Sequence, residues 1–373
     1  MKIGIITLPF NINYGGILQN FALQKVLKEM GHQVSTIEEK NSYKLRIPKR
    51  YLAYTKRIVL RYLFRKKCEI FFEKNEFNRL QIISKDLQQF IKRNIALKTY
   101  PTFKHIKANE YDAFIIGSDQ IWRPKYFTGI ENAFLDFAQK WNIRRIAYAP
   151  SFGTDKWEYS KQQTQRCRKL ISLFNGISIR EKEGIDLCNK YFSKTAQHVL
   201  DPTLLLSKDD YMEIISTDNA QKSKGNLLVY ILDQSPEKEK VINRIIETKK
   251  LVPFTVNNPN VFNYKLDINQ RIQPSIEQWL RGFYDAEFVI TDSFHACVFS
   301  IIFQKPFLVY GNIQRGLSRF TSLLSTFHLE NRMILNANEL YKALEQEINW
   351  TEITKILETK QKESLNFLSK HLA

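Results

Sequence analysis

Residues 3–39 read IGIITLPFNINYGGILQNFALQKVLKEMGHQVSTIEE, and this stretch decides the fold. The apolar run at 3–8 predicts a strand, and apolar residues at helical spacing after the turn NINYGG predict a helix that Gly31 ends. A second short strand over 33–37 runs into a pair of glutamates. A strand, a helix and a second strand in this order predict a parallel βαβ unit.

The same alternation of strands and helices continues towards the C-terminus. Near-continuous apolar strands separated by helices predict parallel sheets that are buried on both faces. The alternation stops after LDPTLLL (200–206) and restarts at 227, so we expect an α/β protein with two Rossmann-like domains facing a cleft. Further strands are predicted at 113–117, 227–233, 253–258, 287–291 and 306–311, and the segments 144–153 and 176–181 each show a strand that runs into a polar loop.

These patterns give three parts to the chain. The N-terminal Rossmann-like domain is expected at 1–206 and contains a basic helical insertion at 41–108. The C-terminal Rossmann-like domain is expected at 207–350. We expect the last segment, 351–373, to be a helix that packs back on the N-terminal domain.

The composition is that of an ordinary globular protein. Of the 373 residues, 43% are hydrophobic and 25% are charged, which excludes collagen-like, low-complexity and disordered classes. The four cysteines show no Cys-x-x-Cys spacing, so we expect a reducing compartment and neither a disulfide framework nor a metal site. The N-terminus has no signal pattern and the apolar runs fall short of the ~20 residues of a membrane span, which predicts a cytoplasmic protein.

The charge is less ordinary, because 56 Lys and Arg stand against 38 Asp and Glu. A net charge of +18 predicts an anionic partner, such as nucleic acid, phospholipid headgroups or phosphorylated small molecules. The absence of a nucleic-acid recognition motif disfavours the first. Ten of the cations lie in one acid-free stretch, namely Lys44, Arg46, Lys49, Arg50, Lys56, Arg57, Arg61, Arg65, Lys66 and Lys67.

Aromatic and aliphatic residues interleave with these ten cations. An interfacial helix on anionic lipid needs this combination, and it would hold the protein peripherally on the inner face of the cytoplasmic membrane. A solvated helical face with no partner is the alternative.

Polar residues follow most of the predicted strands, where ligands of open α/β sheets bind. The loop Asn13, Tyr14, Gly15 and Gly16 opens a helix, so its backbone amides can approach an anion. A simple tight turn is the alternative, and the absence of a full GxGxxG argues against a nicotinamide cofactor. Ser118 and Gln120 follow the strand at 113–117 and are the candidate acceptor-binding residues in the same crevice.

His295 is the sharpest candidate, since it lies in the first turn of an apolar helix after a strand. The helix start suits a phosphate, and an imidazole there can transfer protons near neutral pH. Asp292 or Ser293 is expected at the N-cap position. The alternative is a core histidine bonded to a neighbouring loop.

Arg180 ends an apolar strand, where a guanidinium needs either a ligand or an ion pair to Glu181 or Glu183. Asp119 and Asp292 are candidates for accepting a proton from a substrate hydroxyl, with helix capping as the other reading. Arg315 and Arg319 follow a further strand, where they would clamp an anion or remain solvated.

Six motifs in order resemble the polysaccharide pyruvyltransferase family over roughly residues 3–330. They are NYGGILQNFALQKVLKEMGH, YDAFIIGSDQIW, RRIAYAPSFG, SIREKEG, VLDPTLLL and FVITDSFHACVFSIIFQKPF, the last followed by SRFTSLL. The resemblance implies a GT-B-type fold and transfer of the enolpyruvyl unit of phosphoenolpyruvate to two hydroxyls of a sugar. The product is a pyruvate ketal in a cell-surface polysaccharide such as a capsule or exopolysaccharide.

The resemblance also implies roles for residues in this chain. It implies donor contacts from Arg180 and catalysis by His295, and it requires no cofactor beyond phosphoenolpyruvate as donor substrate. A glycan or lipid-linked sugar would be the acceptor. A nucleotide-sugar glycosyltransferase and a non-catalytic membrane-associated scaffold are the alternative functions.

Two positions depart from the family pattern. Many members carry Arg two residues before the histidine, where this chain has Ser293, so Arg315 or Arg319 would have to compensate in anchoring the donor. The related branch usually continues with Gly and Thr, where this chain has Ala296 and Cys297.

Overall fold

The computed structural model describes residues 1–40, 47–217, 220–312 and 316–373, and only the backbone of residues 47–50. Lys44, Arg46 and Arg315 of the sequence predictions therefore lie outside the described residues. Within those bounds the chain forms two parallel sheets with helices on both faces. This confirms the predicted α/β class with two Rossmann-like domains.

The first sheet has seven parallel strands in the order β3-β2-β1-β4-β5-β6-β7. β2 and β3 lie on one side of β1, and β4 to β7 lie on its other side. The topological switch point is therefore between β1 and β4. β4 is buried at every position, as expected for a strand covered on both faces. The strands are β1 Lys2–Ile6, β2 Gln33–Glu39, β3 Leu97–Tyr100, β4 Ala113–Ile116, β5 Arg144–Ala147, β6 Gly176–Ile179 and β7 Gln197–His198.

The second sheet has five parallel strands in the order β12-β11-β10-β8-β9, so its switch point lies between β8 and β10. β10 and β11 are buried at every position. The strands are β8 Leu227–Tyr230, β9 Pro253–Phe254, β10 Phe288–Thr291, β11 Phe307–Tyr310 and β12 Met333–Ile334.

The helices connect these strands and cover the sheets. None of those in the described residues is long and apolar enough to cross a bilayer. They are α1 Tyr14–Glu29, α2 Ile47–Tyr62, α3 Phe72–Ile83, α4 Lys85–Asn94, α5 Lys161–Ile171, α6 Lys182–Leu187, α7 Lys208–Thr217, α8 Pro236–Lys249, α9 Ile276–Asp285, α10 Phe294–Ile302, α11 Ser318–Thr326, α12 Leu340–Glu345 and α13 Trp350–Leu372.

The C-terminal helix α13 returns to the first sheet. Its Phe367 ring contacts Tyr148 with 6.2 Å between the ring centroids, and its Ser364 hydroxyl accepts a hydrogen bond from the Leu200 amide. Both partners belong to the first domain, whereas Thr354 near the start of α13 accepts a hydrogen bond from Gln304 of the second, so the last helix packs on both domains.

The segment 41–108 is not wholly helical, which corrects the sequence interpretation. Residues Leu97–Tyr100 form β3, an edge strand that pairs with β2. Its first three residues are exposed, so it lacks the apolar run by which a buried strand is recognised. The edge strands β7 and β12 escaped prediction because each has only two residues, too few to show a strand pattern.

The helices α2, α3 and α4 form the insertion between β2 and β3. α3 reaches the second domain, where the Tyr264 hydroxyl donates to Glu76 at 3.0 Å and the Gln273 amide donates to the Ile83 carbonyl at 2.8 Å. α2 instead leaves a broad apolar and basic surface open to solvent. The insertion thus ties the two domains together on one side and exposes its other side.

Candidate functional site

The carboxyl ends of the two sheets meet at the cleft, where a buried cluster of charged side chains lies. Arg180 directly follows β6 and is only 4% exposed. Its guanidinium lies 2.8 Å from Asp201, 3.1 Å from Glu181 and 3.3 Å from Asp119. The ion pair to Glu181 is therefore present, and two further carboxylates share the same cation. Arg180 is fully compensated by the protein itself.

His295 lies against this cluster in the first turn of α10. It is 7% exposed, and its Nε2 atom lies 3.7 Å from Oδ2 of Asp201. Nε2 makes no hydrogen bond to any of the described residues. A buried imidazole nitrogen without a partner is costly in a purely structural site, so this atom is available for a ligand.

The other side of the imidazole faces the start of α1. A Cβ atom built on Gly15 would lie only 2.0 Å from Nδ1 of His295, closer than any real contact. Glycine is therefore required at position 15 because the imidazole occupies the space of a side chain. This contact brings the N-termini of α1 and α10 together across the cleft.

Both of these helix N-termini carry uncompensated positive potential. Asn13 and Ser293 occupy the N-cap positions, yet neither side chain makes a capping hydrogen bond. Neither helix has an acidic residue in its first turn. Because free amides and the helix dipole attract anions, two such ends beside one imidazole form a site suited to a carboxylate or a phosphate.

Arg319 in α11 adds a cation to this site. Its guanidinium carbon lies 6.0 Å from the centroid of the Phe294 ring, and that of Arg180 lies 4.4 Å from the same centroid. The Nε atom of Arg319 makes no hydrogen bond within the described residues. Burial, and after it the nearby charge of Arg180, lowers the pKa of Arg319, and an incoming anion would relieve both effects.

The electrostatics of the cluster keep Asp201 ionised. Burial alone would raise the pKa of Asp201, but the interactions with His295 and the charge of Arg180 hold this pKa well below its ordinary value. The Thr203 hydroxyl also donates to Oδ1 of Asp201 at 2.7 Å. An ionised carboxylate is thus in place to stabilise an imidazolium as it forms.

The two aspartates predicted as proton acceptors lie in different surroundings. Asp119 belongs to the cluster, 4% exposed, with φ of +62° in a region that non-glycine residues rarely adopt. Asp292 is separate from it, because its oxygens accept hydrogen bonds from the amides of Leu232 and Asp233 and from Lys238 Nζ. Neither aspartate caps a helix with its side chain.

The remaining predicted residues are positioned mainly by the protein. The Ser118 hydroxyl is completely buried and donates to the Ala149 carbonyl at 2.9 Å. The side-chain oxygen of Gln120 accepts from Arg123 at 3.2 Å. The Tyr14 ring stacks on Trp279 across the cleft, and its hydroxyl donates to the Pro274 carbonyl at 2.8 Å.

Gly16 follows Gly15 at the start of α1 and lies beside the Asn13 side chain. A Cβ atom on Gly16 would come 3.2 Å from Nδ2 of Asn13.

The structure brings His295, Arg180, Asp119, Arg319 and Gly15 together. It places the side chains of Asp292 and Tyr14 elsewhere.

Asp201 contacts both His295 and Arg180, and the sequence places it among the polar residues of the crevice without assigning it a chemical role. Its signal was available, because it directly follows an apolar segment and precedes Pro202. An acidic residue at such a strand end is as notable as the arginine at position 180.

A family model described as Polysaccharide pyruvyl transferase matches residues 13–314 of the chain. No curated protein matches the sequence.

Solved structures of GT-B type resemble the fold. The UDP-GlcNAc 2-epimerase of Methanocaldococcus jannaschii is 14% identical with a TM-score of 0.50, covering 94% of this chain and 93% of its own. The UDP-GlcNAc 2-epimerase of Neisseria meningitidis, bound to UDP-GlcNAc, is 11% identical with a TM-score of 0.50, covering 100% and 99%. Arabidopsis thaliana UGT89C1 complexed with UDP-L-rhamnose is 10% identical with a TM-score of 0.51, also covering 100% and 99%. At these identities the likeness concerns the fold alone, and it confirms the GT-B-type arrangement.

Proposed function

The chain belongs to the polysaccharide pyruvyl transferase family, and on that premise we propose that it forms a pyruvate ketal on a sugar, with phosphoenolpyruvate as donor. Membership implies a transferase of polysaccharide biosynthesis that acts on a sugar acceptor. The observation that carries the finer proposal is Nε2 of His295, which makes no hydrogen bond within the described residues and faces Asp201 at 3.7 Å, between two uncapped helix N-termini.

The donor is a dianionic or trianionic molecule with a carboxylate and a phosphate. Arg319 and the first-turn amides of α1, including those of Gly15 and Gly16, are suited to these two groups, as are the amides that follow Ser293. Arg315 remains part of this proposal from the sequence. We assign Arg180 to a position behind the donor, because three carboxylates already share its guanidinium.

His295 is proposed to protonate the methylene carbon of the donor. As C3 takes this proton, the first sugar hydroxyl forms a bond to C2 and gives up its own proton. The C2–O bond to phosphate then breaks, and the second hydroxyl closes the ketal while its proton leaves with the phosphate. Of the two hydroxyl protons, one passes from Asp119 back to His295 and replaces the proton delivered to C3, and the other leaves on the phosphate as hydrogenphosphate.

Asp119 is the proposed acceptor of the first hydroxyl proton, since it lies in the cluster with Arg180 and follows Ser118 at the first sheet. Asp201 stabilises the imidazolium form of His295. Asp292 is given no proton-transfer step, because two backbone amides and Lys238 already occupy its oxygens. General acid and base groups of this kind typically contribute ~10²–10⁴-fold to the rate.

The test is release of inorganic phosphate from phosphoenolpyruvate in the presence of a sugar acceptor, with the ketal identified by mass spectrometry. We expect release that requires both substrates. Transfer of sugar from a nucleotide sugar without phosphate release would establish a glycosyltransferase instead. Neither activity, from folded protein with a panel of acceptors, would leave a non-catalytic scaffold.

We also propose that the acceptor is presented at an anionic membrane surface on the cytoplasmic side. The exposed end of α2 supports this proposal, because Tyr62, Leu63 and Phe64 are 70%, 75% and 65% exposed. Three exposed cations, Arg65, Lys66 and Lys67, follow them directly. Apolar side chains next to cations match a bilayer interface with anionic headgroups.

A further inference from the structure

A cavity of about 420 Å³ lies at the carboxyl ends of β1 and β2. Its volume falls within the ~300–1,000 Å³ of typical small-molecule sites. It belongs to the first domain alone and contains none of the residues assigned above to the donor. The lining groups that matter here are Thr7, Phe10, Glu38, Glu39, Lys104 and Tyr126.

Glu38 gives this cavity an unsatisfied hydrogen-bond acceptor. Its Oε1 atom is buried and makes no hydrogen bond within the described residues. Burial raises the pKa of Glu38, and a hydrogen bond with the Phe10 backbone opposes this rise only in part. Neighbouring Glu39 differs, since its Oε1 accepts the Phe103 amide at 2.9 Å. Because Glu38 lines the cavity, a turn of its side chain would let the unsatisfied oxygen accept a hydrogen bond from a ligand hydroxyl.

Aromatic rings supply the apolar part of the lining. Phe10 is buried within the loop between β1 and α1, whereas Tyr126 is 48% exposed. The Arg123 guanidinium lies 5.0 Å from the centroid of the Tyr126 ring and holds that ring at the opening. A pyranose combines an apolar C–H face with hydroxyls at its edge, and a ring beside a carboxylate is complementary to both.

The cavity adjoins the proton-transfer cluster on two sides. On one side the Thr7 hydroxyl donates to the Ser118 carbonyl at 3.2 Å, and Asp119 follows Ser118 in the chain. On the other side Arg123, which lies against the Tyr126 ring, donates to the side-chain oxygen of Gln120 at 3.2 Å, and Gln120 directly follows Asp119. Both walls of the cavity are therefore bonded to chain neighbours of Asp119.

We propose that this cavity is the acceptor subsite and that Glu38 binds a ring hydroxyl of an uncharged hexopyranoside there. The inference rests on the proposed function and names the class of its acceptor. With two glutamates against one exposed lysine on the wall, an acidic sugar is disfavoured by like-charge repulsion. Glu38 is a specificity-determining residue in this scheme.

Binding is measured first without the donor, by saturation-transfer NMR with p-nitrophenyl β-D-galactoside, glucoside, mannoside and glucuronide. We expect at least one neutral hexoside to bind more tightly than the glucuronide. Glu38→Gln and Tyr126→Ala should each weaken this binding about ten-fold or more. The exposed Glu247→Gln is the matched control and should bind like wild type.

Kinetics then separate this inference from the reaction itself. Glu38→Gln should raise KM for the hexoside and leave KM for phosphoenolpyruvate unchanged. Hexoside binding that depends on Glu38 without any phosphate release would refute the proposed function and keep the sugar site.

Failure of all neutral hexosides to bind, or binding that ignores both substitutions, overturns the subsite. Tyr126 has an exposed side chain, so its variant decides the matter if Glu38→Gln does not fold.

Discussion

The two sheets end differently although both obey the same topological rule. At the first sheet edge, the carboxyl ends of β1 and β2, a cavity of about 420 Å³ remains open. At the second sheet edge, the carboxyl ends of β8 and β10, Asp292 binds the amides of Leu232 and Asp233 and pairs with Lys238 at 2.6 Å. The rule locates two crevices, but only side chains decide which of them holds a ligand.

The hydrogen bonds of Asp292 at the second sheet edge also affect the position of His295 at the first. Asp292 fixes the loop after β8 to the residue that precedes the N-cap of α10, so the start of this helix is held rigidly. His295 then projects from a fixed helix towards Gly15 and the open edge. The hydrogen bonds of Asp292 at the second sheet edge therefore position His295, which acts at the first sheet edge.

The largest effect is expected where the two edges meet. His295→Ala should lower turnover by about 10²–10⁴-fold, because the proposed proton donor is lost. Phosphate release from phosphoenolpyruvate measures this, and circular dichroism checks that the fold persists. A variant that keeps nearly the wild-type rate would show that His295 is a core residue. The second sheet would then contribute no proton donor to the reaction.

The second prediction concerns the closed edge. Asp292→Ala should lower the free energy of unfolding by about 3–5 kcal/mol, because Lys238 is left buried without its partner. Urea unfolding measures this, with the exposed Glu247→Ala as the matched carboxylate control.

The double variant Asp292→Leu with Lys238→Met should recover part of the loss, because no unpaired charge remains. If Asp292→Ala instead unfolds like the control and loses turnover, Asp292 takes part in the reaction and the second edge is not merely structural.

The sequence predicted the frame of this comparison better than its details. The apolar runs and Gly31, whose φ is +84°, located the βαβ unit correctly. His295 and Arg180 were found because each polar residue interrupts an apolar pattern at a strand or helix end. The pattern carries no distance, however, so the contact between Gly15 and His295, from opposite ends of the chain, could not be foreseen.

Other features were hidden because they depend on tertiary partners. Glu38 looked like an ordinary strand end, and only its unsatisfied oxygen in a cavity distinguishes it from Glu39. Asp292 looked catalytic in the sequence. Its structural role was hidden because the amides and the lysine that bind it come from the loop after β8 and from α8, about 55 to 60 residues earlier in the chain. Buried carboxylates of equal appearance in sequence therefore serve binding at one edge and stability at the other.

The third prediction tests how closely the start of α1 must approach His295 in α10. Gly15→Ala places a methyl group 2.0 Å from Nδ1 of His295, so the imidazole or the helix must shift. We expect turnover to fall about 10- to 100-fold, since a displacement of about 1 Å at a reacting group has such effects.

Gly16→Ala is the matched control for this crowding. Its nearest neighbour is the flexible end of Asn13 at 3.2 Å, so the side chain can move aside. Equal activities of the two alanine variants would show that the contact between α1 and α10 does not set the position of His295.

The smallest effect per substitution is expected at the surface of α2 and the residues after it, which only the first domain carries. One of the predicted cations is already engaged, because Arg57 pairs with Glu73 at 2.6 Å. Five others, Lys56, Arg61, Arg65, Lys66 and Lys67, are exposed. Each exposed cation near an anionic bilayer adds about 1 kcal/mol, which falls off within a Debye length of about 10 Å at 0.1 M salt.

Replacing these five residues by Gln one after another should therefore weaken binding to phosphatidylserine vesicles stepwise, by about five-fold each, in co-sedimentation at low salt. Replacing five exposed lysines elsewhere, Lys140, Lys161, Lys169, Lys240 and Lys342, is the control for net charge alone and should weaken binding much less. Neutral vesicles and high salt should abolish the difference between the two sets. Turnover on a short soluble acceptor should be unchanged, because the substituted side chains lie outside the cavity and the cluster. Wild-type protein that ignores anionic vesicles at low salt, or two charge sets of equal effect, would mean that α2 presents a solvated face and that the open edge receives its acceptor from solution.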